Sequence, residues 1–282
     1  MSISLNGYAT GNGNAGRREP PGPLQNIMPE KLGFGNMCGR FVAFSSGDAI
    51  ADRLGLAAIS DGARLLGPSW NVAPTNQIKI ITRDASLALR DSALPNGPQN
   101  DVVGTRKESE VGSSSLYLEV GRWGLVTPWD FKGPGIINAR VETVAEKPAF
   151  AGAFAQRRCI VPVDGYYEWQ KTALGKQPWF ITGLDNSLYF AGIYNQNEAG
   201  ANVAILTMGA GAEVAPIHHR MPISFSDQLI EQWIFGAPNE ALALMGQADK
   251  HFLKWEVGHT VNSVRNNGPA LIEKVHAAIS LF

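Results

Sequence analysis

Short β-type runs recur along most of the chain, and this feature constrains the fold more than any other. The runs are rich in β-branched and aromatic residues, at 40–44, 78–82, 115–120, 159–163, 179–182, 188–194 and 203–207. Helical patterns are fewer, at 48–56 after Ser45 and Ser46, at 147–157 with Pro148 in the first turn, and at 227–234 after Ser226. Strands with a few interspersed helices predict an α+β fold.

Composition excludes several classes of protein. The 282 residues are 44% hydrophobic, which is enough for a core, and no apolar run approaches the roughly 20 residues that a membrane span needs. The start of the chain lacks the apolar stretch of a signal peptide, so we expect a soluble cytoplasmic protein. The formal net charge of -1 predicts that any contact with nucleic acid comes from a local groove.

Two segments differ from the rest of the chain. Residues 1–36 combine Gly, Asn and Pro without apolar periodicity, which predicts a disordered leader or a misassigned start of translation. We therefore expect one folded domain over 37–282. Within it, residues 84–114 are polar, lack a clear period and hold a Pro-Asn-Gly-Pro sequence, so we interpret them as a loop insertion.

The chain has only two cysteines, Cys38 and Cys159. This number excludes a disulfide framework and a Cys-rich zinc module. Cys159 lies within a β-type run and is predicted to be a core residue. His218 and His219 could add ligands, but adjacent histidines do not easily chelate one ion, so we expect no metal.

Several motifs, in a fixed order, carry the chemically distinctive residues. The main motifs are 37–41 (MCGRF), 71–75 (NVAPT), 137–143 (INARVET), 164–169 (DGYYEW) and 217–222 (IHHRMP). Two shorter stretches accompany these motifs, namely Trp123-Gly124-Leu125-Val126, which leads to Trp129, and Asn266-Asn267-Gly268-Pro269. The ordered set resembles the signatures of the SRAP family, the SOS response-associated peptidases. That resemblance implies a single compact α+β domain with a strongly bent, largely antiparallel, barrel-like sheet and short peripheral helices.

The resemblance also implies a chemistry for Cys38. In the SRAP family this cysteine follows the initiator methionine, whose removal leaves an α-amine and a thiol on one residue. The amine condenses with the open-form aldehyde of an abasic deoxyribose to an imine, and the thiol then closes a thiazolidine ring. The implied partner is single-stranded DNA containing an abasic site, bound by a monomer. Because 37 residues precede Cys38 here, either they are removed or translation begins at Met37.

Two further residues are implied as proton-transfer groups. Glu168 would assist sugar ring opening and imine formation, and its aromatic neighbours predict a raised pKa through desolvation. His218 would move protons near the same aldehyde. Since adjacent residues of an extended segment point to opposite sides, only one of His218 and His219 is expected to face the site, and the family's pattern selects His218.

The remaining site residues also follow from the resemblance. Asn138 would hold the N-terminal cysteine, and Arg40 and Arg140 would bind DNA phosphates. The predicted groove residues are Asn71, Pro74 and Trp129, the last as a stacking platform for an unpaired base. Trp123 and Trp169 are assigned to the core.

Other functions fit part of this set. A cysteine hydrolase acting in trans on peptides or amides would use Cys38, His218 and Glu168. A non-catalytic single-stranded DNA-binding module would use Trp129 and the arginines. The resemblance favours a DNA-damage-response protein with self-processing peptidase and lyase-type activity, without a cofactor, and located on the nucleoid when bound to damaged DNA.

Overall fold

Strands dominate the computed structural model, which describes residues 39–83, 115–127 and 133–275. The predicted leader (1–36) and insertion (84–114) lie outside these ranges, as do Cys38 and Trp129. The strands are β1 (Phe41–Ala43), β2 (Ala58–Ile59), β3 (Ser69–Val72), β4 (Gln77–Thr82), β5 (Tyr117–Trp123), β6 (Asn138–Arg140), β7 (Arg158–Val163), β8 (Gly165–Thr172), β9 (Gly175–Thr182), β10 (Leu188–Asn197), β11 (Gly200–Gly209), β12 (Arg220–Pro222), β13 (Ser224–Phe225) and β14 (Leu253–Glu256).

The helices are short and lie between the strands. The α-helices are α1 (Gly47–Leu54), α2 (Asp61–Leu65), α3 (Val141–Val144), α4 (Ala151–Gln156), α5 (Ile230–Phe235) and α6 (Pro238–Ala243). Four 3-10 helices span Asp227–Leu229, Leu244–Gln247, His259–Asn262 and Pro269–Ile272. Within the described ranges, no helix is long and apolar enough to cross a membrane.

Five strands close into a barrel in the order β11, β10, β7, β4 and β5. The pairing of β5 with β11 closes the ring; it is parallel and sets Gly121 opposite Ala201. A Cβ on Gly121 would lie 2.8 Å from Cγ2 of Val203, so the two strands approach more closely than a larger residue would allow. Strand β6 also runs parallel to β11, whereas β12 pairs with β11 in the antiparallel sense.

A second, wholly antiparallel sheet has the strand order β14, β9, β8, β1 and β3. With the barrel it confirms the predicted α+β fold with a bent, largely antiparallel, barrel-like sheet. The short N-terminal strand β1 lies inside this sheet, between β3 and β8. Arg40, which directly precedes β1, therefore lies beside β8.

Side chains divide into three apolar clusters according to the two-residue period of the strands. The inner cluster joins the barrel interior to the second sheet and includes Phe41, Ile80, Trp123, Cys159, Tyr166, Val203 and Ile217. The outer cluster lies under the helices and includes Ile81, Phe154, Leu206 and Trp233. The third, which we call the C-terminal cluster, includes Val42, Tyr167, Phe180, Val261 and Leu271.

The helix predictions were correct in position but not in extent. The pattern at 48–56 forms α1, whose first turn is capped by the Ser46 hydroxyl. The prediction of a helix from 147 was wrong, because α4 begins only at Ala151. Pro148 has no N–H and disfavours the helical conformation of the preceding residue, and the chain turns there before the helix begins. The pattern at 227–234 begins as a 3-10 helix and becomes α-helical at Ile230.

Candidate active site

The start of β1 is held against β8. Phe41 lies opposite Tyr166, and the Tyr167 N–H donates to the Arg40 carbonyl at 3.0 Å. One further step in this register sets Gly39 opposite Glu168. Cys38 is bonded to Gly39 and lies just outside the described residues.

Glu168 is buried within β8, with 4% of its surface exposed. Its backbone lies opposite Trp179 of β9. Because side chains alternate along a strand, its carboxyl is on the same face as Tyr166, toward the inner cluster, while Tyr167 is on the other face. Strand β8 is central in its sheet, between β9 and β1.

Asn138 and Arg140 share one face of β6. Asn138 is half-buried and lies opposite Ile205 of β11, whereas Arg140 is exposed at the end of the strand. The indole N–H of Trp123 donates to the Ile137 carbonyl at 3.0 Å, and Trp123 in turn packs on Phe41 with ring centroids 4.8 Å apart. This chain of contacts connects β6 to the start of β1.

His218 and His219 lie in a bend before β12 and not on an extended segment. The expectation that they point to opposite sides was therefore wrong, since their ring centroids are 4.4 Å apart. His218 is half-buried, and its Nδ1 lies 3.2 Å from the Arg220 N–H nitrogen and 3.0 Å from the Arg220 carbonyl oxygen. Nε2 of His218 is buried and has no hydrogen-bond partner among the described residues. His219 is exposed, and electrostatic repulsion, first from the adjacent His218 and to a smaller extent from Arg220, lowers the pKa of His219.

Four sequence motifs border the same apolar cluster. Phe41, Ile137 and Ile217 adjoin Arg40, Asn138 and His218 in the chain, and they pack in or against the inner cluster. Tyr166, two residues before Glu168 and on the same face of β8, is also part of that cluster. The structure thus brings the backbones of these predicted site residues to the edge of one packed core, although they are distant in sequence.

An ion pair that the sequence did not reveal joins two of these motifs. The Arg220 guanidinium forms a bidentate salt bridge with the Glu142 carboxylate, with Nη1 2.6 Å from Oε1 and Nη2 2.9 Å from Oε2. Nη2 also donates a hydrogen bond to the Thr207 carbonyl at 2.6 Å. Hydrogen bonding from Arg220 lowers the pKa of Glu142. Both residues lie within the motifs quoted above, but no spacing rule links positions that far apart in the chain.

Gln170 is a second residue that sequence reasoning missed. It accepts a hydrogen bond from the Trp179 indole at 3.1 Å and donates to the Pro216 carbonyl at 3.0 Å. It therefore connects the strand of Glu168 to the segment that leads into His218. As a polar residue after an aromatic motif, it carries no sequence signal of such a role.

Arg40 lies beside the C-terminal cluster. Its Nη1 donates to Oδ1 of Asn71 at 2.7 Å and to the Val261 carbonyl at 3.0 Å, and Cζ lies 5.9 Å from the Trp169 ring centroid. Burial lowers the pKa of Arg40. The structure therefore places this guanidinium on the face of the sheet opposite to Glu168.

Asn71 is buried, with 4% of its surface exposed. Its amide donates to the Ser263 and Asn266 carbonyls at 3.0 and 2.8 Å, besides accepting from Arg40. All its polar atoms are engaged within the protein, so the geometry offers it an indirect role through Arg40. Pro74 is half-buried in the turn from β3 to β4, where Thr75 has a positive φ of 76°.

The residues assigned to the core divide into two kinds. Trp123 is fully buried, and Cys159 is fully buried with its thiol pKa raised by desolvation, as predicted for core residues. The core prediction for Trp169 holds in part, because the ring packs against the C-terminal cluster but is only half-buried, and its N–H donates to Asn262 at 2.8 Å. In the part of the chain that the structure describes, no group of three or more His, Cys, Asp or Glu side chains could hold a metal ion.

A family model decides the relationship of the chain to known proteins. The model described as SOS response associated peptidase (SRAP) matches residues 37–264. The chain belongs to this family. The SRAP resemblance drawn from the motifs is thereby confirmed.

Curated relatives in the SRAP family share about a third of their residues with the chain. It is 32% identical over 251 residues to "Abasic site processing protein YoqW" of Bacillus subtilis, covering 84% of the chain and 99% of that relative. It is 31% identical over 226 residues to "Abasic site processing protein HMCES" of Gallus gallus, covering 65% of the chain and 66% of that relative.

Solved structures support the same fold. A protein from Bacteroides thetaiotaomicron superposes with a TM-score of 0.61 at 21% identity, over 85% of the chain and all of that protein. A phage-related protein from Bordetella bronchiseptica gives 0.55 at 23% identity, over 78% of the chain and 94% of that protein.

Proposed function

We propose that this SRAP protein recognises abasic sites in single-stranded DNA and links itself to them through a thiazolidine formed by Cys38. The observation that carries the proposal is the convergence of β1, β6, β8 and the bend before β12 on the inner cluster. The segments that converge carry an amide, a buried carboxyl and an imidazole, which supports the proposal. The names of the curated relatives support abasic-site processing as the activity.

The chemistry requires Cys38 to be the first residue. Its α-amine adds to the aldehyde carbon to give a carbinolamine, which loses water to become an imine. The thiol sulfur then adds to the imine carbon while the nitrogen gains a proton, which closes the ring. A peptide nitrogen cannot take this path, because its lone pair is delocalised into the carbonyl.

Three side chains of the site have proposed roles in these steps. Glu168 delivers the proton on which loss of the hydroxyl group as water depends, and the raised pKa expected of it stays a prediction. His218 takes and returns protons through Nε2, while its Nδ1 lies within hydrogen-bond distance of the backbone N–H and carbonyl of Arg220. Asn138 holds the α-amine through its amide without fixing it as an ammonium ion.

Arg40 and Arg140 are proposed to bind phosphates beside the lesion. Arg140 is exposed at the end of β6, and Arg40 is half-buried beside Trp169. Asn71 acts by orienting Arg40, because its own carboxamide already forms hydrogen bonds within the protein. Pro74 and Trp129 complete the proposed groove, and stacking on Trp129 favours unpaired bases.

The test uses protein that begins at Cys38 and an oligonucleotide with one abasic site, analysed by denaturing electrophoresis. We expect a heat-stable complex that Cys38→Ala abolishes. Glu168→Gln and His218→Ala should slow its formation and leave binding to a tetrahydrofuran analogue nearly unchanged, since that analogue has no aldehyde. An equal yield from Cys38→Ala would refute the proposed nucleophile.

Processing of the 37 preceding residues is tested on protein expressed from Met1. Intact-mass analysis should show a Cys38 start in every sample that forms the complex. Cys38→Ser separates the two routes, because internal initiation at Met37 leaves the short product and thiol-dependent self-cleavage does not. Crosslinking by material that retains residues 1–37 would contradict the thiazolidine mechanism.

A further inference from the structure

We infer that Gln170 is a positioning residue that fixes His218 relative to Glu168, an assignment that rests on the function proposed above. Its carboxamide joins the strand carrying the carboxyl to the segment carrying the imidazole. The connection runs from Glu168 through two peptide units to Gln170, then through the hydrogen bond to Pro216, and through two more peptide units to His218.

The two ends of this carboxamide have one chemically sensible arrangement. The Trp179 indole is only a donor, and the Pro216 carbonyl is only an acceptor. Gln170 must therefore direct Oε1 to the indole and Nε2 to the carbonyl, at 3.1 and 3.0 Å. The hydrogen bond from the indole fixes the side-chain rotamer of Gln170, and this rotamer directs Nε2 toward the Pro216 carbonyl.

The strand geometry places Gln170 on the side where it is needed. Residues two apart on a strand share a face, so Glu168 and Gln170 project toward the inner cluster with Cα atoms about 6.6 Å apart. Trp179, directly opposite Glu168, packs against that cluster. The carboxyl, the indole and the carboxamide thus form one layer against which the histidine segment rests.

The histidine segment is fixed at its other end by different contacts. The Ala210 N–H donates to the His219 carbonyl at 3.0 Å, and Nδ1 of His218 lies against the Arg220 peptide group. Val214 and Ile217 are buried in the inner cluster. The Gln170 bond ties the Pro216 backbone directly to the strand of Glu168, so its loss would let the imidazole shift without unfolding the loop.

A matched pair of variants tests this role. Gln170→Met keeps the volume of the side chain and removes both hydrogen bonds. Gln177→Met is the control, because Gln177 is the cross-strand partner of Gln170 and donates to the Pro178 and Val257 carbonyls, away from the histidine segment. Both variants remove a half-buried carboxamide from the same hairpin, so their effects on stability should be similar.

The first readout separates chemistry from binding. We expect Gln170→Met to slow crosslinking at saturating protein about tenfold with unchanged affinity for the tetrahydrofuran analogue, because displacement of a proton-transfer group costs rate and not docking. Gln177→Met should crosslink at the rate of the unmodified protein. In a His218→Ala background, Gln170→Met should have no further effect, since the residue acts through the imidazole.

The second readout does not depend on crosslinking. Amide hydrogen exchange at residues 211–219 should quicken in Gln170→Met and stay unchanged in Gln177→Met. If the unmodified protein fails to crosslink, the proposed function fails while this measurement still tests the tether. Unchanged exchange, equal crosslinking rates in both variants, or a full additive effect with His218→Ala would each overturn the assignment.

Discussion

Arg158 shows how a buried cation is held by carbonyl groups. It is 3% exposed and donates from Nε to the Trp233 carbonyl at 2.6 Å, from Nη1 to the Phe154 carbonyl at 2.7 Å, and from Nη2 to the Gly236 carbonyl. Phe154 and Trp233 lie in the last turns of α4 and α5, where carbonyls have no partner inside the helix. The guanidinium thus joins two helix ends to the barrel, which the helix dipoles favour.

We expect Arg158→Met to lower the free energy of unfolding by about 3 kcal/mol, because the carbonyls are left buried without donors. Arg158→Lys should restore little of the lost stability, since a single ammonium group cannot donate to the carbonyls with the geometry of the planar guanidinium. Urea denaturation measures both. Arg64→Met is the control, with an exposed Asp48 partner at 3.8 Å, and should change stability by less than about 0.5 kcal/mol. Equal losses at the two positions would contradict this account.

At the scale of single residues, the sequence was sufficient to identify candidate site residues but not to predict the residues that contact them. Glu168 and His218 were singled out because they stand inside recognisable motifs. The Arg220 contact with Glu142 and the Gln170 contact with Pro216 span 78 and 46 positions. Residue type gives no information about such pairing, which depends on how strands meet in the fold.

The seven predicted strand segments lie close to observed strands, and several of them were too short, whereas other strands, including β8 with Glu168, were not predicted. The run at 188–194 is the buried first part of β10, which continues to Asn197, and the run at 203–207 lies within β11, which begins at Gly200. The residues added to β10, Asn195 to Asn197, are polar and partly or fully exposed, and they pair across the hairpin with 200–202. Hydrophobic pattern marks burial, so it ends where the strand becomes exposed even though the hydrogen bonding continues.

Closure of the barrel gives a prediction for Gly121. An alanine there would meet Cγ2 of Val203 at 2.8 Å and Cδ1 of Ile80 at 3.2 Å, so we expect Gly121→Ala to cost about 1–3 kcal/mol in thermal or urea unfolding. Gly209→Ala provides the comparison, because its added methyl meets nothing within 4 Å. A stable Gly121→Ala variant would show that β5 and β11 can move apart without loss.

The ion pair between α3 and β12 gives a prediction that depends on pH. Hydrogen bonding lowers the folded-state pKa of Glu142, so its contribution is complete above the ordinary Glu value of about 4.3 and disappears as the pH falls through the lower folded value. The Glu142 side chain is 51% exposed, and solvent screening keeps the effect small.

Glu142→Gln should therefore reduce stability at neutral pH by less than about 1 kcal/mol, and the difference from the unmodified protein should shrink on acidification. Urea titrations at several pH values measure it. A difference that grows toward low pH would mean that the carboxyl stabilises the fold in its protonated form.

For the molecule as a whole, the ends of the predicted insertion meet. Thr82 lies directly opposite Tyr117 in the pairing of β4 with β5. Their Cα atoms are therefore about 5 Å apart, a distance that a short turn can bridge. Replacement of residues 84–114 by a four-residue turn should preserve the melting temperature within a few degrees, because loop length contributes weakly to stability. A large loss would assign a structural role to the segment.

The overall fold was predicted from the family resemblance and not from local sequence pattern. Alternating runs predict strands, but they do not state that β5 and β11 pair in parallel to close a barrel, or that β1 lies between β3 and β8. These pairings join segments that are distant in sequence, and no residue-level rule selects one partner strand over another.

The alternation of side chains along β8 makes the site sensitive to a change of one residue in length. Tyr166 and Glu168 face the inner cluster, and Tyr167 faces the C-terminal cluster. A single residue inserted before Tyr167 would turn the Glu168 carboxyl toward the aromatic C-terminal cluster and put the Tyr167 phenol where the acid stood. Within such a strand a substitution alters one side chain, whereas an insertion exchanges core and site together. We therefore expect the site to tolerate changes of length only in the connections between strands.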